Sequence, residues 1–305
     1  MIPSATIFIL LVIPLSIFSH YLGSWNDPLL MVLSFTMIAL VGIPHGALDH
    51  ILYKRNSKSS TLYFYSFYLG CMIVFVCSWI FLPLLSLTLF ILISAYHFGQ
   101  SQFSDVRFRA DHMHKVLYLS WGMTILSSLF YFNVNELEVL LSSYSDTIAL
   151  KSFFKESVQL SVLIISGLST SILLIRANAK KYISVRRFNQ ELIILFMILF
   201  AFVMLPLVIG FTLFFCIIHS MKVLGEEFTH VRKLYDIRSV LSFIKLLTPF
   251  TLLSLFGIAI IFYLQQKGFL GLSEFMLVMI LVSMVTLPHS IVMEGFYNSS
   301  NNKIA

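Results

Sequence analysis

His45, His97, His219 and His289 each lie within one or two turns of the end of an apolar run, on the side where the next loop is basic. An imidazole inside a membrane is costly enough to mark a functional position by default. Four at one depth suggest a bound metal, because neutral imidazole is the commonest side-chain ligand for iron, copper and zinc. Any one alone reads more simply as a hydrogen-bonded core histidine; the shared depth and direction of four is what points to common ligation. Asp49 follows His45 by four residues and shares its helical face. It reads either as a carboxylate standing behind a ligand and fixing its tautomer, or as an interfacial charge near Lys54 and Arg55. His50, five residues after His45, falls on another face. His20 lies at a helix end, and His112, His114 and His230 fall in basic loops, where solvation is expected. The same expectation holds for Glu226 and Glu227, and Glu294 reads as interfacial.

Positioning four such side chains requires membrane-spanning elements. The 305 residues are 58% hydrophobic and only 11% charged, against about 25% charged in a soluble domain. Their apolar runs are continuous over about twenty residues, the length that crosses a bilayer as an α-helix rather than as a barrel strand. The expected fold is therefore all-α, a polytopic transmembrane helix bundle forming one integral membrane domain over 1–305. The runs are 3–22, 28–52, 61–82, 84–103, 116–132, 157–175, 190–205, 207–224, 240–264 and 273–295. Pro206 splits the longest apolar stretch into two short spans, which makes ten helices. The N-terminus lacks a basic region and a clear cleavage site, so its first run reads as a retained helix.

Charge placement tests that count. Sixteen of the twenty Lys and Arg residues fall in 53–60, 104–115, 176–189 and 222–245, and ten spans put all four segments on one side. The positive-inside rule makes that side, and both termini, cytoplasmic, in a multi-pass cell (inner) membrane protein. A single helix over 190–224 would separate two strongly basic loops. The net charge of +6 thus serves topology, and nothing recommends a nucleic-acid partner. Cys71, Cys77 and Cys216 lie inside apolar runs without metal-ligand spacing and read as small packing residues. With this topology the four histidines belong to helices 2, 4, 8 and 10, all running the same way. Gly42, Pro44 and Gly46 around His45 and Gly99 after His97 permit kinks or close approach of a bulky ligand, and Pro288 before His289 can free a backbone carbonyl near the site; helix flexibility alone also explains them.

Four segments, GIPHGALDH (42–50), AYHFGQSQF (95–103), IIHSMKVL (217–224) and LPHSIVMEGFY (287–297), together resemble the Brp/Blh family of membrane-bound β-carotene 15,15′-dioxygenases. The resemblance covers nearly the whole chain, in motif order and helix count. It implies cleavage of the central double bond of β-carotene by O₂ to two all-trans-retinal, at non-haem Fe(II) held by histidines. It also implies a lipid bilayer setting and a microbial rhodopsin as retinal acceptor. Carried over by motif, the ligands are His45, His97 and His219. His289 is added from its own segment and from depth. Many members carry a second histidine four residues after the third motif's histidine; here that residue is Val223. Either His289 serves as the fourth ligand or the site is weakened, and depth favours His289. Tyr96, beside His97, is a candidate substrate contact with packing as the simpler reading.

Three other readings fit parts of the pattern: a histidine-relay transporter, a haem-binding electron carrier, and a carotenoid- or retinal-binding or rhodopsin-biogenesis protein without turnover. Against the first, Asp49 is nearly alone as an intramembrane acid. Against the second, haem ligation stacks two pairs at different depths. Val223 motivates the third. Clustered HxxHH boxes of membrane desaturases are absent.

Overall fold

A computed structural model describes residues 3–22, 28–56, 60–108, 112–235, 237 and 239–302. Every regular element among them is helical: α1 (Pro3–Leu22), α2 (Pro28–Met37), α3 (Asp49–Asn56), α4 (Thr61–Phe81), α5 (Pro83–Gln102), α6 (Met113–Phe132), α7 (Val134–Ser142), α8 (Glu156–Ala179), α9 (Val185–Met204), α10 (Leu207–Leu213), α11 (Met221–Tyr235), α12 (Val240–Gln266) and α13 (Glu274–Asn302). A π turn (Ile38–Gly42) and a 3₁₀ turn (Ile43–Gly46) join α2 to α3, and a second π turn (Phe214–Ser220) joins α10 to α11.

Eight helices among the described residues are long and apolar enough to cross a membrane. With α1 and α6, each of 20 residues, ten helices reach about 30 Å at 1.5 Å per residue. Helix α6 is less apolar because it is central: Ser120, Thr124, Ser127 and Ser128 are buried and bond back to their own helix, as with Thr124 to the Ser120 carbonyl at 2.8 Å. Pro206 does divide the long apolar stretch. Helix α9 ends at Met204, and Pro206 stands as the N-cap of α10.

Helix starts explain the alternation of ends. The acidic segment 133–156 between two spans is not irregular but contains α7 and a 3₁₀ turn (Ser145–Leu150). From it Glu136 accepts from the Leu207 amide (3.0 Å) and Asp146 from the Ser273 amide (2.8 Å), so its acids sit at the N-termini of α10 and α13. At the opposite end Arg187 and Lys222 converge on Asp105, at 3.2 and 3.7 Å, and Arg187 also meets Glu191 at 2.6 Å. The segments that succeed α5, open α9 and succeed α10 therefore share one end, as ten alternating spans require. Arg187 and Lys222 are not solvated loop charges, however; their side chains are 13% and 11% exposed. Lys58, Arg109, Arg238, Lys303 and the side chain of His20 lie outside the described residues.

The segment 222–235 is helix rather than loop. Val223, Glu227 and Val231 recur every four residues and are fully buried, so α11 continues the preceding span as a packed helix despite its charge. Glu227 is accordingly buried, and Glu226 accepts from Ser104 (2.5 Å) and Tyr297 (2.8 Å). His114 lies between Phe108 and Tyr118, and His230 packs edge-on against Phe296, so both are half-buried; His112 is exposed as expected.

Helices α5 and α6 cross so closely that a Cβ on Gly99 would lie 2.0 Å from the Tyr118 carbonyl oxygen, and one on Gly122 1.9 Å from that of Ala95. Small residues permit this contact where no hydrophobic gain drives helices together in lipid. Gly99 therefore serves a helix crossing, not the approach of a ligand. Ala95 and Gly99 face α6, and His97, about 200° round the helix from either at 100° per residue, faces the opposite way.

Candidate metal centre

The four histidines meet. His45, His97 and His289 each bring one nitrogen to within 4.8 Å of the others. His219 is not part of that triplet, but its ring centroid lies 4.9 Å from that of His97 and 5.3 Å from that of His45. His289 closes the square, 4.8 Å from His45 and 5.0 Å from His97. Neighbouring rings stand nearly perpendicular, with interplanar angles of 79–88°.

Each ring arrives by a different local device. His45 sits on the 3₁₀ turn after the first π turn, where its Nδ1 bonds the Gly42 carbonyl. His219 lies within the second π turn. His97 comes from α5, fixed by the glycine crossing. His289 follows Pro288 inside α13, where the missing amide breaks one helix hydrogen bond. Wide turns inside helices occur often at functional sites.

Hydrogen bonds set the tautomers. The Gly42 carbonyl can only accept, so His45 Nδ1 carries hydrogen. Ser101 donates to the Phe98 carbonyl (3.0 Å), which leaves its oxygen to accept from His219 Nδ1 at 2.9 Å. His289 Nδ1 lies 2.9 and 3.1 Å from the two Asp49 carboxylate oxygens, and Tyr68 donates to the same carboxylate at 2.9 Å. These three imidazoles thus present Nε2 lone pairs away from their Nδ1 partners. Nε2 of His97, His219 and His289 is buried without a protein partner, as is Nδ1 of His97. Buried polar atoms are nearly always satisfied, so three imidazoles with orphaned nitrogens in one cluster fit a shared cation. Metal–imidazole bonds of about 2.0–2.1 Å place ligand nitrogens roughly 3–4 Å apart, a small contraction from the observed spacing. Rings about 5 Å apart around a square leave no slot for a porphyrin, and a compact cluster at one depth is not a relay across a membrane.

The profile of the family described as beta-carotene 15,15′-dioxygenase matches residues 36–297. The chain belongs to this family. No curated protein and no solved structure matches it. The region shared with the β-carotene dioxygenase family begins two residues before the first π turn and ends at Tyr297, so it holds all four histidines and Asp49 but excludes α1.

Other sequence candidates fall outside the square. Asp49 is 3% exposed and paired with His289, while the side chains of Lys54 and Arg55 lie outside the described residues. His50 packs against Phe250, with ring centroids 4.3 Å apart and tilted by 35°. Tyr96 turns its hydroxyl to Glu294 (3.2 Å), which also accepts from Gln100 Nε2, so Glu294 bridges α13 to α5 and is half-buried rather than interfacial. Val223 is fully buried against Leu52, Phe64, Val292, Met293, Phe296 and Tyr297, one turn beyond His219. Ser101, Tyr68 and the Gly42 carbonyl are partners that the sequence pattern does not single out. Ser101 alone carries a signal, four residues after His97 on the same face.

Proposed function

We propose that His45, His97, His219 and His289 hold one non-haem Fe(II), and that the protein cleaves the central 15,15′ double bond of β-carotene with O₂ to give two molecules of all-trans-retinal. The observation carrying this reading is the set of Nε2 atoms left without partners at the centre of four imidazoles whose other nitrogens are largely anchored. Neutral nitrogen donors without thiolates suit Fe(II), and family membership supplies the carotenoid. His289 takes the place that a histidine at position 223 would fill in other members.

Bound there, Fe(II) supplies O₂ activation, chemistry that no side chain of the site provides. The chain's own residues do the rest. Asp49, Ser101 and the Gly42 carbonyl accept from Nδ1–H of three imidazoles and leave each Nε2 free to bind the metal. Phe98 and Phe215, against His219 at 4.7 and 5.7 Å, keep water from the cluster. His45, the one half-buried imidazole, marks the side open to an apolar substrate diffusing in the bilayer. Both oxygen atoms end in the two aldehydes, so no external reductant is needed. The site lies in the inner half of a multi-pass cell-membrane protein, and the retinal released into the lipid is available to a microbial rhodopsin.

Expression in a β-carotene-accumulating bacterium tests this. The wild type should deplete β-carotene and yield C20 retinal, and each of H45A, H97A, H219A and H289A should abolish the product while still inserting in the membrane. Persistent β-carotene with a well-expressed, iron-loaded wild type would reject cleavage in favour of carotenoid binding without turnover. Activity retained by H289A alone would remove that residue from the ligand set.

A further inference from the structure

Phe211, Phe215 and His219 succeed one another at intervals of four through α10 and the second π turn. Their rings form a ladder: Phe211 and Phe215 stack at 5.4 Å and 9°, and Phe215 and His219 at 5.7 Å and 20°. Phe215 also meets His45 edge-on at 5.4 Å. Gly42 makes the space for this, since a Cβ there would lie 2.8 Å from Phe215 Cε1. Burial divides the cluster. His97, His219 and His289 are 2–3% exposed, and the neighbouring Phe214 is 1% exposed, whereas His45, Phe211 and Phe215 are half-buried. The exposed edge of the metal centre is therefore His45 with the Phe215–Phe211 stack beside it. On another side, Tyr96, Gln100, Ser104 and Glu294 line a polar cavity of about 40 Å³, room for water but not for a hydrocarbon chain.

We propose that Phe211 and Phe215 form a rail against which the conjugated chain of a carotenoid lies, with Phe215 setting which double bond stands over the four nitrogens. The inference rests on the carotenoid-cleavage reading above. A polyene is flat, apolar and polarisable, and offset stacking on an aromatic face suits it. The rail ends on a ligand imidazole, so a chain lying along it is delivered to the metal. A phenylalanine that merely faced lipid would need neither the parallel stack onto His219 nor a glycine cut away to seat its ring.

The test uses the full chain in detergent, first stripped of metal. β-Carotene binding is read by quenching of tryptophan fluorescence, and the reloaded protein is then assayed for products and metal content. Loss of one stacked ring, worth about 0.5–1.5 kcal/mol, should weaken binding about two- to twelvefold in F215L and in F211L. Reloaded F215L should release apocarotenals of unequal length beside retinal at unchanged metal content. F215Y, which keeps the ring, should bind more tightly than F215L and restore retinal as the main product. F130L, the same change against Phe154 elsewhere in the bundle, should leave binding intact. Wild-type affinity and C20-only products in both leucine variants would overturn the rail while leaving the proposed function standing. Failure of the wild type to bind β-carotene would overturn both.

Discussion

Asp49→Asn isolates what the carboxylate behind His289 contributes. In the folded chain Asp49 is 3% exposed, bonded by His289 Nδ1 at 2.9 and 3.1 Å and by Tyr68 at 2.9 Å. Asparagine keeps the shape and can still accept from Nδ1–H, so the substitution removes charge and little else. A hydrogen bond to a charged partner contributes about 1.5–3 kcal/mol and a neutral one about 0.5–1.5 kcal/mol. The difference of roughly 1–1.5 kcal/mol corresponds to about tenfold in metal affinity. Asp49→Ala also leaves Nδ1–H without an acceptor and should reach the hundredfold end of the range seen when such outer partners are lost. The assay is competitive titration of the purified protein with Fe(II) under argon, or with Co(II), against a chromophoric chelator, alongside the melting temperature of the metal-free protein. Affinity within twofold of wild type in both variants, with folding intact, would refute the assignment of Asp49 as the group that orients His289.

Val223→His restores a residue common in the family, yet it places an imidazole in an apolar cluster. We expect a lower melting temperature, by about 1–3 kcal/mol of lost stability, and no gain in metal affinity in the chelator titration. Gly99→Ala forces a methyl group into the α6 backbone and should cost about 3 kcal/mol or more, read as lost folded yield and a collapsed melting transition; a near-wild-type melt would show that the two helices can separate. Asp105 gives a pH prediction. Burial alone would raise its carboxyl, but Lys222 and Arg187 more than offset that and hold it below the ordinary carboxylate value. A depressed folded pKa means its contribution is fully present above the unfolded value of about 3.9 and is lost as pH falls through the folded one. Acid melts should therefore show a component below about pH 4 that Asp105→Asn removes.

The long apolar helices are legible in the sequence because backbone satisfaction in lipid enforces them, and the break at Pro206 because proline cannot continue one. The segment 222–235 misleads because its charges resemble a loop. Only the four-residue recurrence of Val223, Glu227 and Val231 after His219 betrays a packed helix. Glu226 and Glu294 mislead because a carboxylate's partners come from other helices: Ser104 and Tyr297 for one, Tyr96 and Gln100 for the other. Depth along a helix can be counted in sequence, and that suffices to nominate four histidines. Rotation about the helix axis cannot be counted across an irregular turn.

That limit bears directly on how the cluster forms. A π turn carries an extra residue, and each extra residue rotates the next stretch of chain by about 100° relative to a regular helix. His45 comes after one such turn and His219 lies in the other, and the two turns touch where Gly42 meets Phe215. The irregular turns cost helix stability, since each gives up regular hydrogen bonding. They persist here because the same rotation does two jobs. It turns His45 and His219 toward His97 and His289, and it stacks Phe215 on the imidazole four residues further along the chain. A chain kept regular in either helix would retain all four histidines at the same depth and lose the point at which they meet.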